Sequence, residues 1–332
     1  MQSKQRPIRP GNPHGILGSA FAILLPVLVT LTVLEGVLRV ADFRVLRAGK
    51  SERSLVYRHD PELGWAPVAE SSSTVTNART IHARHNRLGF RDIEFQRDGR
   101  PVLLFLGDSF VWGVDAESSE RFTDLLRDRL SNYQLVNAGI SGFGTDQEYL
   151  LLQRIWSTVK PDVVVLIFCT DNDRADNQTN IRYDGYRKPL FVPSDNGLTL
   201  TGQPVPWSLQ NYVSNNWLVR NLWLARTAVA AYVEIRYPRV TVPDSTEQLV
   251  DKFRDFVTDH GARLLVGLQR RDEKLIRHLT DKGIPSVSFD GAEAYPTDFG
   301  AHWTPQGHET VAKRLAAFLA QNGIAGNGDV SR

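Results

Sequence analysis

The chain has 332 residues, 42% of them hydrophobic, and a formal net charge of +2, enough apolar material for one large domain or a domain carrying a sizeable insertion. It carries no basic block of the size a nucleic-acid surface needs, which excludes nucleic acid as a partner on electrostatic grounds. Cys169 is the only cysteine, which excludes an intrachain disulfide and any multi-cysteine metal site.

After a short polar tail, residues 1–14, the stretch from Gly15 to Leu34 has no formal charge. That is the length a helix needs to cross a hydrocarbon core of ~30 Å. The sequence therefore predicts a transmembrane signal anchor over 15–38, with Pro26 in its middle. A cleaved signal peptide is the competing reading, but the apolar run is long and Glu35-Gly36-Val37-Leu38-Arg39 does not resemble a small-residue cleavage site. Lys4, Arg6 and Arg9 precede the span, whereas Arg39, Arg44, Arg47, Lys50 and Arg53 follow it, so the positive-inside rule favours neither orientation.

Residues 39–100 read as a linker and prefatory segment of short strands and loops, with the Ser/Thr-rich patch from Ser71 to Thr76 expected as a solvated turn. A regular alternation then begins. Val102 to Leu106 is a buried-strand pattern, and Gly107-Asp108-Ser109 turns sharply off its end. Phe122, Leu125, Leu126 and Leu130 fall at helical spacing after Ser118 or Ser119 as cap, and Gln134 to Ala138 is a second strand. The glycine-rich turn Gly139 to Gly144 leads to Thr145-Asp146-Gln147-Glu148, which fits a capping box opening a helix. Val163 to Phe168 is the third strand, ending in Cys169-Thr170-Asp171-Asn172-Asp173.

Residues 174–243 break the rhythm and read as an insertion, with one helix expected from Trp217 to Ile235. A capping-box match at Ser245-Thr246-Glu247-Gln248, a helix, a strand at Arg263 to Leu268, a further helix and a short strand at Val287 to Phe289 follow. Thr304-Pro305 caps the closing helix. Five strands alternating with helices predict an α/β fold, a parallel sheet in a three-layer α/β/α sandwich over 101–325.

The loops after these strands share one edge of the sheet, where open α/β sheets place their ligands. A serine hydroxyl is a poor nucleophile at its own pKa and needs an adjacent base, which a third group orients. Acyl transfer also needs donors aimed at the oxyanion. Ser109 supplies the hydroxyl and a backbone N–H. Gly142 offers an unobstructed N–H and Asn172 a side-chain amide as further oxyanion donors. His302, just before the closing helix, is the expected base, with Asp298 near enough in sequence to hold its imidazole. His308 is the rival base, Asp108 reads as a turn residue, and Cys169 as a small buried hydrophobe. Asp171, Asp173 and Asp176 suggest a magnesium site, but an acidic loop after a strand is usually solvated or locally bonded.

Four blocks in this order resemble the SGNH/GDSL esterase and lipase superfamily: Gly107-Asp108-Ser109-Phe110, Asn137 to Gly142, Asn172-Asp173, and Asp298 to His302. The prefatory Asn86 to Asp92 and the Asp176-Asn177 pair resemble a membrane-anchored bacterial subgroup. The resemblance spans roughly residues 57 to 320. It implies a flavodoxin-like fold, Ser109 as nucleophile and no metal or organic cofactor. It also implies an ester substrate, an O-acetyl group on an envelope or exported glycan, and a domain held outside the cytoplasm by the inner membrane. The same acyl-enzyme resolved by a sugar hydroxyl would make it an O-acyltransferase, and a non-catalytic glycan-binding or assembly protein on the same fold is the remaining alternative. Two positions depart from the family pattern: Asp298 and His302 are one residue further apart than Asp-x-x-His, and Thr170 stands where the asparagine block usually has glycine.

Overall fold

The computed structural model describes residues 13–47, 56–183, 185–195 and 197–324, with side chains of the first helix from residue 21 onward. Most of the expected N-terminal tail, with Lys4, Arg6 and Arg9, lies outside the described residues, as do Lys50 and Arg53.

Helix α1 is Pro13–Ala41. Two β-hairpins follow, β1 (Tyr57–Asp60) with β2 (Gly64–Pro67), and β3 (Ser72–Thr76) with β4 (Thr80–Arg84). The Ser/Thr patch is thus a strand and not a turn. Its β-branched residues suit a pleated edge, and Val75 is buried opposite Ile81 while its neighbours face out. The main domain then runs β5 (Val102–Gly107), α2 (Ser109–Trp112), α3 (Phe122–Arg127), β6 (Gln134–Asn137), α4 (Thr145–Val159), β7 (Val163–Phe168) and α5 (Asp173–Asp176). Short strands β8 (Ile181–Arg182), β9 (Tyr186–Arg187), β10 (Leu190–Ser194) and β11 (Gly197–Thr201) form two more hairpins. Helices α6 (Leu209–Asn215), α7 (Trp217–Asn221) and α8 (Trp223–Arg236) come next. The helix expected from Trp217 to Ile235 is broken at Leu222, which takes an extended backbone. The alternation closes with α9 (Thr246–Asp259), β12 (Arg263–Leu268), α10 (Glu273–Asp281), β13 (Ser286–Ser288) and α11 (Pro305–Gln321).

Five strands pair in parallel in the order β13-β12-β7-β5-β6. Numbered by appearance this is 2-1-3-4-5 read from the other edge, the flavodoxin-like order. Both faces are covered, so β5 and β7 are buried at every position. Alternate residues feed opposite sides. Leu104, Leu106, Val164 and Leu166 join one core with Leu152, Phe253 and Val257, while Leu103, Phe105, Val163 and Val165 join the other with Phe122, Val311 and Leu315.

The chain divides into two compact units, the N-terminal segment with Leu209–Arg236, and the remainder with the sheet. In the smaller unit, both Glu35 carboxylate oxygens accept from the first turn of α8, from Trp223 N and Leu224 N at 2.9 Å each. Arg39 donates to Asn221 O at 2.6 Å. The residues of α1 from Phe21 to Ala41 are apolar and long enough to cross a membrane or to serve as a signal sequence.

Candidate active site

The strand-to-helix turn off β5 holds Ser109. Gly107 has φ +158, close to extended backbone, and its Cα faces Val111 so closely that a Cβ would come within 2.3 Å of Val111 Cγ2. Asp108 caps α2, its Oδ1 accepting from Phe110 N at 3.0 Å. Ser109 Oγ lies 3.0 Å from His302 Nε2 and 3.3 Å from Asp108 Oδ2, and the serine is only 7% exposed. His302 sits just ahead of α11. That helix begins where the sequence places it, with Thr304 Oγ1 accepting from Gly307 N at 3.1 Å and Pro305 in its first turn. Trp303 packs against Phe110 at 4.8 Å between ring centroids, locking the segment that carries the histidine to the segment that carries the serine.

The structure does not bring Asp298 to His302. Asp298 lies in a one-turn 3₁₀ segment, Thr297–Phe299, and is exposed. It makes no hydrogen bond or ion pair among the described residues. Gly300 and Ala301 both turn through left-handed backbone, φ +80 and +53, so the extra residue is taken up by a tight reversal that leaves Asp298 facing out. A Cβ on Gly300 would lie 2.8 Å from His302 Cε1, so the ring rests on bare backbone there. The imidazole Nδ1 instead lies 3.0 Å from Phe299 O and 3.6 Å from Asp115 Oδ2.

The glycine loop is pinned by the prefatory strands. Trp65 Nε1 donates to Ser141 O at 3.2 Å, Ser141 N donates to the Tyr57 hydroxyl at 3.1 Å, and Gln147 Nε2 donates to Leu63 O at 2.7 Å. Gly142 has φ +81, and the Tyr183 ring packs over it, 2.4 Å from where a Cβ would stand. Asn172 is half-buried at the start of α5, and its Nδ2 donates to Asp176 Oδ2 at 2.7 Å. Thr145 is not the helix cap. Gly144 holds that position with Gln147 Oε1 accepting from its N–H at 3.3 Å, while the Thr145 hydroxyl points to Asp173 Oδ2 at 3.5 Å.

Beneath these loops lies a buried acidic layer. Asp108, Cys169 and Asp173 have donor atoms within 4.8 Å of one another. Asp173 Oδ2 accepts from Cys169 N at 2.8 Å, and burial pushes both the Asp173 carboxyl and the Cys169 thiol well up. Burial thus favours the protonated Asp173 carboxyl and the Cys169 thiol over their charged forms. Asp146 pairs with the wholly buried Lys188, and Asp176 with Arg182 at 3.0 Å. His308 lies on α11, buried, with its Nδ1 3.3 Å from Phe122 N. Burial, then Arg121 and Arg91, pushes it down to about 3, which fits a packing histidine and not a base.

Three contributors to the site went unseen in the sequence. Asp115 follows Ser109 by six residues but faces a histidine 187 positions away. Arg91 lies in the prefatory block, where nothing in the sequence marks it. Buried at 1% exposure, it donates to Trp112 O, Gly113 O and Ala116 O at 3.2, 2.6 and 2.8 Å and so clamps the loop that carries Asp115. Tyr183 lies in the irregular insertion, where no periodicity marks which residue returns to the sheet.

A serine and a histidine at hydrogen-bond distance on the carboxyl edge of a flavodoxin-order parallel sheet define a three-layer α/β protein of the hydrolase class. The model of the GDSL-like lipase/acylhydrolase family matches residues 105–310, more than half of the sequence, and the chain belongs to that family. Among solved structures it is similar to TesA, at 15% identity over 66% of this chain and 98% of that one, TM-score 0.40. It is also similar to a lipolytic G-D-S-L protein from Veillonella parvula, at 12% identity over 66% and 98%, TM-score 0.40. A two-domain esterase active on acetylated mannans is a third, at 14% identity over 70% of this chain and 52% of that one, TM-score 0.38. No curated protein matches the chain.

Proposed function

We propose that the protein is a membrane-anchored serine esterase that removes an O-acetyl group from an envelope or exported glycan. The observation that carries the reading is the 3.0 Å contact between Ser109 Oγ and His302 Nε2 at the sheet edge. Ser109 attacks the ester carbonyl while its proton passes to His302 Nε2, and the C–O bond to the sugar breaks as His302 returns that proton to the leaving alkoxide. The N–H groups of Ser109 and Gly142 and the Asn172 amide stabilise the tetrahedral intermediate. Water then resolves the acyl-enzyme. The Tyr183 ring packs beside Gly142, one of these oxyanion donors.

The glycan class and the location outside the cytoplasm rest on the subgroup resemblance and on α1. Retention of α1 as an anchor is supported by Glu35 and Arg39, which lie in its last turns and bond to α7 and α8. A cleaved leader would take these contacts away.

The test is hydrolysis of p-nitrophenyl acetate by the detergent-solubilised full chain, beside Ser109→Ala. Loss of at least ~10³-fold in kcat/KM, with loss of fluorophosphonate labelling, is expected. Equal turnover by both proteins would sink the serine mechanism. With acetylated glycan, released acetate marks hydrolysis, and acetyl appearing on an acceptor sugar marks acyl transfer.

A further inference from the structure

We infer that Asp115, and not Asp298, is the carboxylate that positions His302. The inference rests on the serine reading above and deepens it: the nucleophile and the group that orients its base come from one seven-residue segment. Asp115 Oδ2 lies 3.6 Å from His302 Nδ1, and Asp115 is 1% exposed. Two further donors fix the carboxylate. Asn77 Nδ2 donates to Oδ2 at 2.7 Å, and Arg79 N donates to Oδ1 at 3.1 Å. Asn77 Nδ2 also donates to Phe299 O at 2.8 Å, the same carbonyl that lies 3.0 Å from His302 Nδ1. The turn between β3 and β4 thereby ties the acid and the histidine loop together.

The two acceptors at Nδ1 act at different moments. The Phe299 carbonyl fixes the tautomer of the neutral ring, with the proton on Nδ1 and Nε2 free to accept from Ser109. The carboxylate matters when Nε2 takes that proton, because a full negative charge favours the imidazolium over the neutral ring more than a carbonyl dipole does. Asp115 does not itself take a proton in the step. Burial pushes its carboxyl up, but the nearby His302 ring and the hydrogen bonds from Arg79 N and Asn77 outweigh burial and hold it below the ordinary range, so it is ionised at neutral pH. Its backbone is left-handed, φ +65, and the Arg91 clamp on the carbonyls of Trp112, Gly113 and Ala116 keeps it there.

Asp115→Asn keeps the shape and a residue type that left-handed backbone tolerates. Asp115→Gly removes the carboxyl with no backbone strain and serves as the second variant should the first fold poorly. Both are made in the full chain beside Asp298→Asn and Ser109→Ala, with thermal melts to establish folding. The expected result on p-nitrophenyl acetate is a fall in kcat of roughly 10²- to 10⁴-fold for the Asp115 variants with KM little changed. The acidic limb of the kcat/KM profile moves to lower pH, because the imidazolium has lost its counter-charge; a packing defect alone would not move that limb. Folded Asp115 variants with kcat within about threefold of the parent, or the loss falling on Asp298→Asn instead, would overturn the assignment. If Ser109→Ala keeps its activity, it is the serine reading that has failed.

Discussion

Glu148 is wholly buried on the first turn of α4, and neither of its carboxylate oxygens has a hydrogen-bond partner among the described residues. Asp173, on which the Thr145 hydroxyl converges, leaves its Oδ1 in the same condition. Burial first, then the neighbouring charges of Asp173, Asp108, Asp146 and Asp176, pushes the Glu148 carboxyl well above its ordinary 4.5. Asp173 is pushed well above its ordinary 3.8 by burial and then Asp108, and Asp176 up to about 6, by burial against the opposing pull of Arg182. At these three carboxyls the folded state therefore holds more protons than the unfolded chain from the ordinary carboxylate range upward. Stability from these groups is fully present below that range and is lost as pH rises through the raised values. Glu148→Gln imitates the protonated acid, so its stability relative to the parent should rise with pH, by about 1–3 kcal/mol at pH 8 and near zero at pH 4. Urea denaturation at pH 4, 6 and 8 checks this. Parallel curves for the two proteins would mean that Glu148 is charged in the fold.

The same scale explains what the sequence concealed at the site. Ser109 and His302 were legible because each sits where a strand ends or a helix begins, and a local pattern marks such places. Asp115 was not. Its role depends on the left-handed turn that aims its carboxylate and on a long-range approach, neither of which has a periodic signature. Asp298 stands out through proximity in the chain and through its place in the Asp-His block, but two left-handed residues separate it from His302.

At the scale of elements, the sheet was readable and the hairpins were not. β5 and β7 are continuous apolar runs that can only be interior strands, and their bounds match the pattern to within a residue. β3 and β4 are polar on one face and bury one and two residues respectively, so a composition rule takes them for loop. These strands nevertheless carry weight, since the turn between them presents Asn77 and Arg79 to Asp115. Helix α11 is the converse case, its cap plain in Thr304-Pro305. Thr304→Ala should cost about 1 kcal/mol, read as a lower urea midpoint at unchanged slope. Because His302 stands two residues ahead of that cap, kcat should fall as well while KM holds.

At the scale of the whole molecule, the N-terminal apolar helix belongs to a unit that also includes Leu209–Arg236, a grouping that hydropathy alone does not announce. Mass spectrometry of the mature protein should find Glu35 and the residues before it still attached, and the protein should stay with membranes after alkaline carbonate washing. A mature chain starting beyond Ala41 would show α1 to be a leader. Ser109 and Asp115 lie on one short segment, clamped by Arg91, and between them they face both nitrogens of His302. On the Asp115 assignment, the stretch from Pro296 to Phe299 carries no acid and gives His302 one main-chain oxygen. Its exposed side chains are then free to vary, whereas its main chain, which holds Phe299 O against the imidazole, is not, so substitutions there alter the rim of the site and leave the chemistry in place.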